Sequence, residues 1–327
     1  MSDTNRLTRL VVLLLLVMPQ VLTAEPFPSS YRAARDAGWA EAVLRVSDPK
    51  VFIDFAESVA GWQVKGPIDG EWWISDAEGG VGAIRLITRP HQATPIERYQ
   101  PWDTGGLFSV MTRSNDLSAA YERARALGWG SANIPVTLDF GGVKLSNVVM
   151  RGPDGVNVAI YERLQPRMAD AADLLKLRRP FNAMQVVRSL ADARRFYVDV
   201  LGFSVIATGR FQAPRGTPSN FGIPPSLAAD AALDYLILGG TPAGPTQVEV
   251  VSFNGLEVGA RPRDQLESQG LIALRFPVSS LDRMRDRLAA AAYPHESVHT
   301  PMPPFGSAEM LRLLSPEGAR LEFFELP

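Results

Sequence analysis

The chain has 327 residues, with 33 Lys+Arg against 35 Asp+Glu for a net charge of −2, and the two signs are interspersed. That balance gives no electrostatic reason to expect nucleic acid or a membrane surface as a partner, and a small molecule of little or no charge is the better expectation. With 0 cysteines, disulfides, thiol catalysis, thiolate metal sites and a lipidated-cysteine anchor are excluded, and stability must come from packing.

Arg6 and Arg9 precede the apolar run Leu10 to Val17 and the small-residue stretch Leu22-Thr23-Ala24. These are the three parts of a secretory signal peptide, expected over residues 1–24 with cleavage near Ala24. The apolar run falls well short of the roughly 20 residues that span a bilayer. The expected location is therefore periplasmic or secreted, without membrane attachment once the leader is gone. The remainder of the chain is long enough for two domains, expected at 25–165 and 166–327.

Four segments then repeat one order of features. Each opens on an alternating strand: Glu41 to Val46, Ser109 to Thr112, Asn182 to Val187 and Ile272 to Val278. A helix comes after each, started by Asp48, Asp116, Ser189 and Ser279 or Ser280, whose side chains accept from orphan backbone N–H groups, with Pro49 suited to a first helical position. Apolar residues recur at helical spacing behind these starts, as in Phe52, Phe55, Ala56 and Val59, or Leu190, Ala193, Tyr197 and Val200. Gly61, Gly128 and Gly202 stop three of the helices, and Trp62, Trp129 and Phe203 restart extended chain. Two segments close alike, Gly152-Pro-Asp-Gly155 and Ser315-Pro-Glu-Gly318 each turning into a last strand. Gln212 to Ser226, rich in proline and glycine, interrupts the third segment as a surface loop, read either as a lid or as a tolerated insertion. Ala169 to Leu177 is expected to form a short helix between the halves.

The run Arg188-Ser-Leu-Ala-Asp-Ala-Arg-Arg-Phe-Tyr-Val-Asp-Val-Leu-Gly-Phe203, with the Pro-Glu-Gly turn and Leu321-Glu-Phe-Phe324, resembles the vicinal oxygen chelate superfamily of glyoxalases, bleomycin-resistance proteins and extradiol dioxygenases. The resemblance covers nearly all of the chain after the leader and is weakest in the first segment. It implies an α+β fold of four βαβββ modules, paired into two half-barrel domains that each enclose a ligand cleft.

Metal-using members of that superfamily place His, Gln or Glu on each opening strand and Glu on each closing strand. The matching opening positions here are Glu41, Ser109, Asn182 and Ala273, and the closing ones Arg85, Ala159, Glu249 and Glu322. Pairing consecutive modules would put Glu41, Arg85, Ser109 and Ala159 in the first cleft, a cation where a ligand should be. It would put Asn182, Glu249, Ala273 and Glu322 in the second, a set that suits at most a hard ion completed by water. His295 and His299 lie in a stretch expected to be extended, where four residues span about 13 Å, too far for one ion; His91 follows Pro90 in a connection. No metal and no cofactor are therefore expected.

Glu41 and Arg85 are read as a buried ion pair, either mutually neutralising or, functionally, Arg85 holding an oxyanion while Glu41 moves a proton. The second cleft is expected to present Asn182, Met184, Glu249, Arg275, Glu322 and Phe324, with Tyr235 nearby. Two converging carboxylates would then raise the pKa of one of them, or pair it with Arg275. Trp72, Trp73, Tyr99 and Trp102 are read as an aromatic wall or as core. Catalytic candidates are thus Glu249, Glu322 and Glu41, and substrate-binding candidates Arg85, Asn182, Arg275, Tyr235, Phe324 and Trp73. The expectation is a small, largely apolar organic ligand and metal-independent isomerase, cyclase or lyase chemistry by proton transfer. The alternatives are sequestration of the bleomycin-resistance type, or a metal-dependent lyase or dioxygenase using Glu249 and Glu322.

Overall fold

The structure is a computed structural model that describes residues 24–77, 79–88, 100–139, 142–167, 176–212, 216–261 and 269–326. The leader run, His91, Tyr99 and most of the expected helix at 169–177 lie outside the described residues. No helix among the described residues is long and apolar enough to cross a membrane.

The short helix α1 (Tyr31–Ala34) leads into module one, made of β1 (Glu41–Val46), α2 (Pro49–Asp54), β2 (Gln63–Ile68), β3 (Glu71–Ser75) and β4 (Ala83–Thr88). Module two holds β5 (Ser109–Arg113), α3 (Leu117–Ala126), β6 (Gly130–Ser131), β7 (Val136–Asp139), β8 (Lys144–Arg151) and β9 (Asn157–Gln165). Module three holds β10 (Asn182–Val186), α4 (Leu190–Arg194), β11 (Ser204–Gln212), α5 (Pro225–Ala228), β12 (Ala232–Gly239) and β13 (Gln247–Asn254). Module four holds β14 (Gly270–Val278), α6 (Leu281–Ala290), β15 (Glu296–Pro301), β16 (Ser307–Leu314) and β17 (Arg320–Glu325).

Local chemistry places these elements as the sequence predicts. Asp48 accepts from the Lys50 amide at 2.9 Å, Asp116 from Ala119 at 2.9 Å, Ser189 from Asp192 at 3.1 Å and Ser280 from Arg283 at 3.2 Å. Helices α2 and α4 each widen into a π-type turn, over Phe55–Ala60 and Arg195–Val200. The first of these ends on Gly61, in the left-handed region at φ 71° that glycine adopts at least cost.

The modules do not pair in sequence order. One sheet runs β15-β16-β17-β14-β1-β4-β3-β2 and joins the outer modules, four and one; the other runs β11-β12-β13-β10-β5-β9-β8-β6 and joins the inner modules, three and two. The seams are antiparallel, Glu41 facing Arg275 in the outer sheet and Asn182 facing Met111 in the inner one. Consecutive modules meet instead through their helices: Phe55 of module one stacks on Trp129 of module two at 4.2 Å, and Phe196 of module three lies 5.0 Å from Tyr293 of module four. One continuous core holds these aromatics together with the helix-facing residues of both sheets, such as Leu44, Ile160, Val250 and Phe323. Each half-barrel is thus built from both ends of the expected division at residue 165.

Candidate functional site

Strand alternation puts Glu41, Val43 and Arg85 on the concave face of the outer half-barrel, away from the helices that bury Ala42, Leu44 and Val46. The pairing of modules one and four then lines up side chains that the sequence reading assigned to different clefts. Arg85 donates to Glu41 through Nη2 at 2.6 Å and Nε at 3.1 Å, and Arg275 reaches Glu41 at 3.1 Å. Arg275 also donates to Glu322 at 2.9 Å, Glu322 accepts from Arg312 at 2.8 Å, and Arg312 reaches Glu296 at 3.1 Å. Charge therefore alternates in sign from strand to strand across β15, β16, β17, β14, β1 and β4. Burial would raise the Glu41 carboxyl, but Arg85 and Arg275 outweigh it and hold the group at about 2. Burial likewise opposes the ionisation of Glu322, and Arg275 and Arg312 again prevail, leaving its pKa lowered.

This face is also filled. Tyr31 donates to Glu41 at 2.8 Å and accepts from Trp73 at 3.0 Å, while Arg85 donates to the Pro303 carbonyl. Phe27, Tyr31, Phe305 and Phe324 pack as one aromatic cluster, with centroid spacings between 5.2 and 6.4 Å. Of the residues expected to line clefts, Glu41, Arg85, Arg275, Glu322, Phe324 and Trp73 all belong to this closed network. Trp72 packs on the main core and Trp102 lies in the inner half-barrel, so no aromatic wall is assembled from them.

The inner half-barrel holds a cavity of about 790 Å³. Its wall is set by the period of two along four strands, with Met111 and Arg113 from β5, Tyr161 and Arg163 from β9, Asn182 and Met184 from β10, and Glu249 from β13. Tyr235 lines it from β12, in close approach to Gly209, where an added Cβ would sit 2.6 Å from the Tyr235 hydroxyl. Part of the proline- and glycine-rich stretch covers the cavity. Phe221 packs between Phe108 and Phe253 at 5.7 and 5.1 Å, and Asn220 donates to Asn147 at 2.9 Å. Within this stretch Ser219, Phe221 and Ile223 are buried, while Gly216, Pro218 and Pro224 to Ser226 stay exposed as surface chain.

Glu249 is half-buried on the cavity wall, and the loss of hydration there pushes its carboxyl up to about 7, against a smaller opposing effect of the Asn182 amide that donates to it at 3.0 Å. Asn182 is 3% exposed, and its Oδ1 has no partner among the described residues; the Ser109 hydroxyl nearby is likewise buried and unpartnered. Tyr161 stays protonated, its pKa raised by burial and by the Glu249 charge against a smaller opposing effect of Asn147, and its hydroxyl contacts the Met111 sulfur at 3.7 Å.

Glu249 and Asn182 are therefore brought together as expected, and Tyr235 shares their cavity. Glu322 and Arg275 are not there, because they belong to module four and module four pairs with module one. The two carboxylates expected to converge stand on different sheets, and the cause of the raised Glu249 pKa is burial rather than a second acid. Sequence reasoning missed Tyr161, two residues beyond the closing position at Ala159 and on the same face of β9. The alternation of β9 was the signal that could have found it.

The donor sets do not fit a divalent metal. In the outer half-barrel the four superfamily positions hold Glu41, Arg85, Ala273 and Glu322, and guanidinium groups already occupy both carboxylates. In the inner one they hold Ser109, Ala159, Asn182 and Glu249, with a single carboxylate and with Asn182 presenting its NH₂ rather than its oxygen to Glu249. No group of three His, Cys, Asp or Glu that could hold an ion occurs among the described residues. His299 lies on extended β15 as expected, its ring 2.8 Å from Ser307.

Residues 181–323 match the family model of the Glyoxalase/Bleomycin resistance protein/Dioxygenase superfamily. Glyoxalase I from Zea mays is similar in structure, with a TM-score of 0.59 and 14% identity over 88% of this chain and 92% of that one. A putative dioxygenase from Bacillus subtilis subsp. subtilis str. 168 is similar at a TM-score of 0.53 and 11% identity, over 89% and 85%. At these identities the likeness is one of fold. No curated protein matches the chain in sequence. Modules three and four thus carry a domain of the Glyoxalase/Bleomycin resistance protein/Dioxygenase superfamily, and modules one and two share its βαβββ architecture.

Proposed function

We propose that the protein is an exported member of this superfamily that binds a small, largely apolar organic molecule in the inner half-barrel and moves a proton on it through Glu249, as an isomerase, cyclase or lyase does. The observation that carries this reading is a carboxyl group in a mostly apolar cavity whose proton affinity sits near neutral pH. Such a group is divided between acid and base at working pH, which is what proton transfer in both directions requires. Asn182 orients it, and the spare Asn182 oxygen accepts from a ligand OH or NH. Tyr161, held protonated, donates to a ligand oxygen on which charge develops. The outer half-barrel serves as structure. Export rests on the leader composition alone.

Difference infrared spectroscopy tests the proton carrier without a ligand. A protonated-carboxyl band that titrates near pH 7 should appear in the parent and vanish in Glu249→Gln; a parent with no such band sinks the reading. Mass spectrometry of small molecules retained by the protein from its native compartment then supplies a compound for exchange in heavy water. Deuterium incorporation that depends on Glu249 supports catalysis, and retention without exchange supports sequestration instead.

A further inference from the structure

We infer that the ligand of the inner half-barrel is an amphipathic anion, an apolar body carrying a carboxylate or a similar planar oxyanion, with the anionic end held by arginines at one end of the cavity. The inference rests on the reading of this cavity as the binding site and adds the chemical class of its occupant.

Four arginines line the cavity, Arg113, Arg163, Arg167 and Arg178, and no lysine does. The backbone gathers three of them at one end. Arg113 closes β5 opposite Tyr161, Arg163 is the next residue on the same face of β9, and the Arg178 amide donates to the Arg113 carbonyl at 2.9 Å. The Arg113 guanidinium lies over the Phe181 ring at 4.0 Å, which fixes its plane. Arg163 and Arg167 are exposed and supply the charge that a ligand would meet.

The lining carboxylates do not cancel that charge. Glu162 is turned to α3, where it accepts from the Leu117 amide at 3.1 Å. Glu249 lies toward the other end, because it sits level with Met184 and Ser109, and Arg113 is four residues beyond Ser109 along β5. At about 3.3 Å per residue the two ends are separated by on the order of 13 Å. Met111 lies between these levels, Met184 and Ile237 stand level with Glu249, and Leu233 lies beyond it. Planar forks matched to a planar oxyanion, then a proton carrier with apolar side chains around and beyond it, thus line a single cavity.

Calorimetric titration of the full chain with phenylbutyrate and with its uncharged counterpart phenylbutyramide tests this. The carboxylate should bind about tenfold more tightly than the amide, and added salt should weaken only the carboxylate. The double variant Arg163→Gln/Arg167→Gln should lose that advantage while binding the amide as the parent does, with an unchanged circular dichroism spectrum showing that it folds. Equal affinity for the two probes in the parent overturns the anion inference and leaves the cavity reading standing. Failure of both probes to bind overturns the two together, and an unaltered preference in the double variant removes the arginines as its cause.

Discussion

Arg85 is wholly buried, and its guanidinium stands against a carboxylate that is just as deep. Removing one partner of such a pair leaves an uncompensated charge where water cannot reach it, whereas replacing both with apolar groups is far less costly. Arg85→Met leaves Glu41 to Arg275 and Tyr31 alone and should destabilise the protein by about 1.5–3 kcal/mol, and Glu41→Leu/Arg85→Met, which restores the charge balance, should recover at least half of that loss. Urea denaturation of the two variants checks this, and a single variant within about 1 kcal/mol of the parent would show that the network carries little. Glu249 makes the opposite demand on pH. Its folded pKa of about 7 lies above the ordinary 4.5, so the folded state binds the proton more tightly than the unfolded chain. The stability tied to this group is full below 4.5 and is lost as the pH rises to about 7, a change of about 3 kcal/mol. Glu249→Gln should remove that slope, so that the variant gains on the parent as pH rises through this window in melting curves. The pairing of Glu41 with Arg85 was legible from alternation on β1 and β4 alone. The partners Arg275 and Glu322 were not, since nothing in a local pattern tells a strand which distant strand it will meet.

At the level of elements, starts and stops were readable because each is set by a few adjacent residues. Asp48, Asp116, Ser189 and Ser280 all cap as their side chains suggest, and Gly61, Gly128 and Gly202 all take positive φ after their helices. The π-type turns that end the first and third helices left no such mark in the sequence. Tertiary contact separates glycines that look alike in the chain. Gly128 has φ +85° and open space where a Cβ would go, while Gly82 has the same φ but a Cβ would stand 2.1 Å from the Pro180 carbonyl oxygen. Gly128→Ala should cost only the conformational penalty, about 1–2 kcal/mol. Gly82→Ala adds the displacement of backbone at the start of β10 and should cost about 1–3 kcal/mol more. Thermal melting of the two variants side by side measures the difference, and equal losses would mean that the close approach of β4 to the chain before β10 relaxes freely.

Across the whole molecule the decisive feature is the exchange of partners between its ends. Consecutive modules share helix packing, as in Phe55 on Trp129, and chain length with repeat similarity pointed to two sequential domains. The sheets obey a different rule, in which β1 finds β14 and β5 finds β10, and long-range pairing of this kind has no local signature. Dividing the chain at residue 165 separates every such pair. Each piece then carries two opening strands whose seam partners are on the other piece, and each exposes an apolar edge that invites association. The pieces 25–165 and 166–327, produced separately, should be poorly soluble or self-associated. Produced together with an affinity tag on one, they should co-purify as a one-to-one complex with the melting behaviour of the parent. Two well-folded monomers that ignore each other would contradict the outer and inner pairing. That outcome would also return Glu322 to the cleft of Glu249, and the carboxyl near pH 7 would need a second acid rather than burial to explain it.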